Sequence, residues 1–250
     1  MANIDHLALL TWGNHKWMDW RNRNSEIAPD LSEANLREFN LKGINFVGVN
    51  LFRADLSQAK LIDADLKEAN LSLANLSLAE LNNASLIATN LTGANLQKSD
   101  LSGADLSLAN LIGADMSGAN LRGADLENAN LIGTVMMQVD LTGSHLNNGN
   151  FTQANLHAAE LVEVCLYRAD LQKANLSNAH LNGAYLFRAN LSFADLSGAD
   201  LRWSNLSKVN LTGANLMGAN LRGANLAGAN FTNVNLAEAT MPDGTINITS

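Results

Sequence analysis

Residues with reactive side chains recur 20 positions apart in the second half of this chain. One series, Asp140, Glu160, His180 and Asp200, combines carboxylates with an imidazole, and such groups hold divalent cations in proteins. If one coil of a repetitive structure takes 20 residues, these side chains lie about 4.8 Å apart along a flat face and do not converge on one point. An exposed polar ladder is therefore the alternative to a metal site, and we expect neither a metal nor a cofactor.

A second series places His145, Cys165 and Tyr185 in one column. A Cys–His nucleophile requires a pocket and an oxyanion hole, and a tube filled by its own side chains has neither. The sequence also contains no glycine-rich phosphate loop, no paired zinc motif and no Ser-His-Asp arrangement. We therefore interpret the chain as a non-enzyme.

Large and cationic residues surround that column, where other repeats have Asn or Asp. Exposed aromatic rings beside arginine are typical of protein interfaces, so we expect a docking surface. Tolerated surface variation is the alternative interpretation. The candidate interaction patch consists of His145, Cys165, Tyr167, Arg168, Tyr185, Phe187, Arg188, Trp203 and Lys208.

The element that must position these residues is an unbroken repeat of five. From Leu31 to Met241 every fifth residue is apolar, and the residue before it is Asn or Asp at 33 of the 43 sites. Neither the 3.6-residue period of a helix nor the two-residue period of a strand buries such positions together. A chain that turns a corner after each pentapeptide does, and Asn, Asp and Gly favour such turns. Leucine occupies all of these sites except Phe46, Met116, Met136, Phe151, Phe231 and Met241.

Short motifs recur 20 residues apart, as Ile112-Gly113 does at Ile132-Gly133, and this spacing suggests four pentapeptides per coil. Units such as Ala214-Asn215-Leu216-Met217-Gly218 resemble the pentapeptide-repeat family, and the two ends of the chain resemble those of its cyanobacterial members. The resemblance implies an all-β solenoid, a right-handed quadrilateral parallel β-helix of about 10–11 coils.

The first 30 residues differ from the repeats and hold three of the four tryptophans. Their apolar spacing predicts short helices at about 4–12 and 14–23, interrupted by Gly13, with Asn14 as a cap for the second. An open solenoid end exposes apolar groups and unpaired edges. We therefore expect a helical cap; a partner-binding amphipathic helix is the alternative. The expected capping residues are Trp12, Trp17 and Trp20.

The predicted organisation is an N-terminal helical cap at 1–30, a pentapeptide-repeat β-helix at 31–241 and a short tail at 242–250. The net charge of −8 disfavours nucleic acid as a partner. The single cysteine suits a reducing compartment. No secretory signal and no apolar run of about 18 residues is present, so we expect a cytoplasmic protein without membrane insertion.

These features favour a structural rod that binds another protein, with a homodimer as a further possibility. The alternative is nucleic-acid mimicry, because some members of the family resemble DNA in width and charge and bind DNA gyrase. Mimicry requires a strongly acidic rod. Here the acids concentrate between residues 99 and 166, and residues 167–250 are nearly neutral.

Overall fold

The corner between two pentapeptides is the local unit of this fold. The computed structural model describes residues 2–247. In the first repeat, the Leu31 carbonyl accepts the Ala34 N–H at 3.1 Å, and Glu33 between them has φ of +60°. A positive φ at the third residue is the mark of a type II turn, and it recurs at every fifth residue from 33 to 238. The chain therefore turns once in each pentapeptide.

Backbone hydrogen bonds join successive coils in a 20-residue register. The Leu31 N–H donates to the Asn50 carbonyl at 2.7 Å, and the Asn50 N–H donates to the Pro29 carbonyl at 2.9 Å. Parallel bridges pair residues 20 apart from residue 30 to residue 240, so one coil takes four pentapeptides. Each bridge involves one residue on either side. The described chain thus forms four flat sides joined by corners, without longer strands.

The interior contains the apolar residue at the centre of each pentapeptide and the small residue two positions earlier. Leu121 is 0% exposed and Ala119 is 1% exposed. Where the small residue is polar, it bonds inside the tube, as the Thr134 hydroxyl does with the Leu111 carbonyl at 3.0 Å. The prediction that the apolar centres are buried together is confirmed from residue 31 to residue 221, and the small residues beside them face inward as well.

Two helices precede the coils: α1 spans Ile4–Thr11 and α2 spans Asn14–Arg23. Gly13 separates them, as the sequence predicted, with φ of +102°. The predicted cap was wrong, because Asn14 is the first residue of α2 and its side-chain amide donates to the Lys42 carbonyl at 3.2 Å. Neither helix among the described residues is long and apolar enough to cross a membrane.

Helix α2 covers the first coil and satisfies its carbonyl groups. Trp17 is fully buried and packs edge-on against Phe46, with ring centroids 5.2 Å apart. Its indole N–H donates to the Asn45 carbonyl at 2.7 Å, and the Arg21 guanidinium donates to the Val47 carbonyl at 2.8 Å. No preceding coil supplies donors to these carbonyls, and an unmet buried carbonyl is costly. The cap therefore replaces the missing coil.

The other two predicted capping tryptophans, Trp20 and Trp12, differ in how far they are buried. Trp20 is partly buried and its ring lies 5.8 Å from Trp17 and 4.9 Å from His6. Trp12 is 65% exposed, so the expectation that Trp12 covers the end of the rod is wrong. Trp12 follows the last residue of α1, where the chain changes direction at Gly13, and its ring faces solvent instead of the tube.

The C-terminal end folds back on the last coil. Thr240 forms an antiparallel bridge with Ile246, and Asn247 exchanges hydrogen bonds at 2.8 Å with Glu238 and Ala239. Residues 245–247 of the tail expected at 242–250 therefore pair with the last side. Residues 248–250 lie outside the described residues.

Replacing Trp17 by alanine should destabilise the protein strongly. The change removes the contact with Phe46 and leaves the Asn45 carbonyl without a donor, and such losses cost about 3–5 kcal/mol. Trp12→Ala is the matched control and should change the free energy of unfolding by less than about 0.5 kcal/mol. Chemical denaturation of the two variants checks this; equal losses would contradict the assigned cap.

Candidate protein-interaction surface

The bridging residue just before each centre determines the chemistry of each flat side. Where it is Asn or Asp, its Oδ1 atom accepts the backbone N–H two residues later, as Asn175 does from Ser177 at 3.0 Å. The Asn175 amide also donates to Asn155, one coil earlier, at 3.1 Å. One side has Asn or Asp in this place in every coil from residue 30 to residue 230. Such a side is a regular polar ladder, in which neighbours such as Asn50 and Asp30 or Asn210 and Asn190 also bond to each other.

The carboxylates of the ladders are stabilised in their charged form. Burial by itself would raise the pKa of Asp100, but hydrogen bonds from Asn82, Ser102 and Asn120 outweigh burial and lower it. The Asn82 amide lies 2.5 Å from the carboxylate, and the Ser102 N–H lies 3.1 Å from it. The ionised carboxylate is therefore part of the folded structure.

The side that carries His145, Cys165 and Tyr185 departs from this pattern. The parallel bridges stack these three residues in one column, as predicted. Asn147 replaces one of the hydrogen bonds that an Asn or Asp at position 165 would form with its own turn. Its Oδ1 atom accepts the Tyr167 N–H at 3.1 Å and also the Cys165 thiol at 3.0 Å. The thiol thus donates to an amide oxygen and is not paired with the imidazole as a nucleophile.

Three aromatic rings form a stack at the corner that ends this side. Tyr167 and Phe187 are nearly parallel, with an interplanar angle of 5° and centroids 6.1 Å apart. Tyr185 lies 6.2 Å from Phe187 at 29°. Tyr185 is 41% exposed, and the other two rings are half-buried. The structure therefore brings these predicted residues together in one surface.

Three cations lie over these rings. Arg168 is 5.7 Å from the Tyr167 centroid, and Arg188 and Lys208 are 5.4 Å and 5.7 Å from the Phe187 centroid. Cation–π attraction holds such groups against the ring faces. Within residues 2–247, no ion pair with a carboxylate involves any of the three. Their charge is therefore available to a partner.

Trp203 lies at the corner that begins the same side, and it is 70% exposed. A Cβ atom built at Gly223, one coil later, would come within 2.2 Å of the indole. Phe193 lies over Gly213 in the same way, at 2.7 Å. Large corner side chains thus lean toward the next coil, and a glycine there makes room. The sequence analysis missed this relation, although the 20-residue spacing of tryptophan and glycine is visible in the sequence.

The carboxylate–imidazole series on the neighbouring side engages mainly in ion pairs. The Asp140 carboxylate lies 3.1 Å from Arg122, and the Asp200 carboxylate lies 2.6 Å from Arg202. His180 lies 2.8 Å from Glu160. No cluster of three or more potential ligands that could hold a metal occurs among the described residues. The geometry is that of a polar ladder.

Comparison with known proteins gives consistent matches. The family model described as "Pentapeptide repeats (8 copies)" matches this chain over residues 30–67, 69–107, 104–143, 135–172, 165–202 and 204–241. The chain is similar to HetL, a pentapeptide repeat protein involved in heterocyst differentiation regulation from the cyanobacterium Nostoc sp. strain PCC 7120. The identity is 37% over 83% of this chain and 94% of that one, with a TM-score of 0.52.

Two further solved structures are more distant. QnrB1, a plasmid-mediated fluoroquinolone resistance protein, is 17% identical over 80% of this chain and 90% of that one, with a TM-score of 0.49. The pentapeptide repeat protein Rfr23 from the cyanobacterium Cyanothece 51142 is 31% identical over 45% of this chain and 90% of that one, with a TM-score of 0.37. No match was found among curated protein sequences.

Acid should destabilise the rod partly through the ladder carboxylates. The pKa of Asp100 is lowered in the folded state, so its stabilisation is complete above its unfolded pKa of about 3.9 and is lost as the pH falls through the lower folded pKa. Asp100→Asn should therefore lose less unfolding free energy than the wild type between about pH 6 and pH 3. Denaturant titrations at several pH values measure this. The control is Asp19→Asn at an exposed position of helix α2; a larger loss for Asp100→Asn than for the wild type would contradict the prediction.

Gly223→Ala should displace Trp203. Both Gly223 and Gly123 have positive φ, so alanine should cost about 1 kcal/mol of folding free energy at either site. Only at Gly223 does the added methyl group collide with the indole. In a background with Trp12 and Trp20 replaced by phenylalanine, where buried Trp17 contributes equally to both variants, tryptophan fluorescence should shift in Gly223→Ala and stay unchanged in Gly123→Ala. Identical spectra would contradict the packing.

Proposed function

Because this chain belongs to the pentapeptide repeat family, we propose that it is a non-enzymatic rod that binds another protein through one of its sides. The proposed scaffold is the right-handed, four-sided β-helix of about 10–11 coils that the family implies. The single cysteine supports a reducing, cytoplasmic location.

The observation that carries the proposal is the stack of rings and cations on one side of the rod. Tyr167, Phe187 and Tyr185 lie within 6.1–6.2 Å of their neighbours, and three cations over or beside them have no carboxylate partner in the described chain. Aromatic residues and arginine are the residues that most often dominate binding energy at protein interfaces. On the side with the polar ladder of residues 30–230, the Arg53 guanidinium lies 5.0 Å from the Phe52 ring centroid, but among the described residues no second ring stacks on that pair.

The backbone register adds rigidity to this surface. The Tyr167 N–H bonds to Asn147, and the Arg168 N–H donates to the Phe187 carbonyl at 3.1 Å. Anchors that are ordered before binding lose less conformational freedom when a partner arrives. The stacked rings are therefore suited to a specific contact.

The relative from Nostoc supports a regulatory role over a purely structural one. HetL is described as involved in heterocyst differentiation regulation. We extend to this chain only the general idea that such a rod regulates a process by binding a protein partner. The identity of that partner is the subject of the experiment.

The test is affinity capture of a partner from native extract with the double variant Tyr167→Ser and Phe187→Ser. The matched control, Leu73→Ser with Leu78→Ser, removes two apolar side chains of 48% and 51% exposure from other corners. We expect the wild type and the control to retain the same partner and the aromatic variant to lose it. All three should melt within a few degrees of one another, because the changed residues lie outside the tube. Equal capture by all three would contradict the proposed surface.

A further inference from the structure

The side with the aromatic stack changes character halfway along its length. We call the interaction side the surface formed by residues 103–108, 123–128, 143–148, 163–168, 183–188 and 203–208, which lie on six successive coils. Its first half carries the acids Asp105, Asp125 and Glu127 and the exposed apolar Leu108, and its second half carries rings and cations together with one acid, Glu163. The change falls between the coil of His145 and the coil of Cys165.

The first half is flat and acidic. Asp125 is partly exposed and caps its own turn, because its Oδ1 atom accepts the Glu127 N–H at 2.9 Å. Glu127 is exposed, and within residues 2–247 neither it nor Asp105 takes part in an ion pair. Gly103 and Gly123 form the corner that begins the side in these coils. The surface therefore offers negative charge, with Leu108 as an exposed apolar side chain at its ending corner.

The second half is complementary in both size and charge. Trp203 replaces glycine at the beginning corner, and Tyr185 and Phe187 stand in the columns of Asp125 and Glu127. The ending corner carries the three cations Arg168, Arg188 and Lys208, stacked on successive coils. Like charges in one column repel each other, so this surface favours an acidic, flat partner.

We propose that the interaction side binds the same side of a second copy of this chain in antiparallel orientation. The two-fold axis lies in the interface, perpendicular to both rods, between the coils of His145 and Cys165. This inference rests on the proposed function, because the same side does the binding; it names the partner as a second copy.

The two-fold operation places each column of one copy opposite the same column of the other copy, with the order of the coils reversed. Trp203 of one copy then faces the corner at Gly103 of the other, and Tyr185 faces Asp125. Phe187 faces Glu127, and Arg188 faces Asn128, the residue next to Glu127. Trp203 therefore meets a small residue, and Tyr185 and Phe187 meet acidic ones. At the ending corner, Arg168, Arg188 and Lys208 meet Asn148, Asn128 and Leu108, so the charge complementarity is between the cationic half of one copy and the acidic half of the other. A parallel arrangement with the coils in register would place the acidic half of one copy against the acidic half of the other, and the cationic half against the cationic half.

The size of the interface predicts a weak association. Six coils of about 4.8 Å extend over roughly 29 Å, and a side of five residues is at most about 16 Å wide, so roughly 900 Å² is buried in total. Stable interfaces bury about 1,200–2,000 Å², so this contact belongs to the transient class. Its charges make it sensitive to salt.

The experiment uses charge reversal at Arg188 and Glu127 in the full chain. In a symmetric dimer, Arg188→Glu places glutamate against Glu127 twice, and Glu127→Arg places arginine against Arg188 twice. Each variant alone should therefore associate at least tenfold more weakly than the wild type. Mixing the two variants restores two oppositely charged contacts, so the mixture should form heterodimers at about wild-type strength.

Sedimentation velocity at about 10–500 µM protein measures these associations, in low salt and in about 0.5 M salt. Lys173→Glu makes the same change of charge at a corner of a different side and should leave association unchanged. Circular dichroism establishes that every variant keeps the fold. A wild type that stays monomeric at all concentrations in low salt, or single variants that do not recover on mixing, would overturn the proposal. Loss of a captured partner in the aromatic double variant would then still support the proposed function, so the two failures are distinguishable.

Discussion

The hydrogen bonds between coils are the constraint on which the whole molecule depends. The N–H of each central residue donates to the carbonyl 19 positions later, as Leu31 does to Asn50 at 2.7 Å. A coil that gained or lost one residue would break this register, and every following side chain would change its place. The absence of proline between Pro29 and Pro242 follows from the same demand, because proline has no N–H to donate.

The fixed register converts the sequence into columns of side chains. On the side that begins with Asp30, Asn and Asp occupy the bridging position throughout and bond to their own turn. Toward both ends of that side they also bond to each other, as Asn50 does to Asp30 and Asn210 does to Asn190. That side contributes to the stability of the rod itself. On the interaction side, the same position holds His145, Cys165 and Tyr185, and the ladder is broken. Side chains released from that structural task are free to serve recognition, which is why we place both proposals there.

The ends of the rod require separate solutions, because a repeating structure always leaves its last coil without a neighbour. At the start, Trp17 and Arg21 donate to carbonyls of the first coil, and Trp17 also covers Phe46. At the other end, the chain from Met241 to Asn247 turns back and pairs with the last side. Since each coil contacts mainly its neighbours, the loss of a cap exposes one coil without dismantling the others at once.

The period of five in the sequence was enough to predict which residues lie inside, because only a chain that turns once per pentapeptide buries Leu121 and Ala119 together. The same period predicted that Tyr167 stacks on Phe187, since stacking depends only on a spacing of 20 residues. The sequence could not show that Trp12 faces solvent, that Asn14 bonds to Lys42 or that Trp203 leans over Gly223. Those outcomes depend on the direction in which each side chain leaves the backbone and on which atoms of the next coil it meets, and only the tertiary structure fixes them.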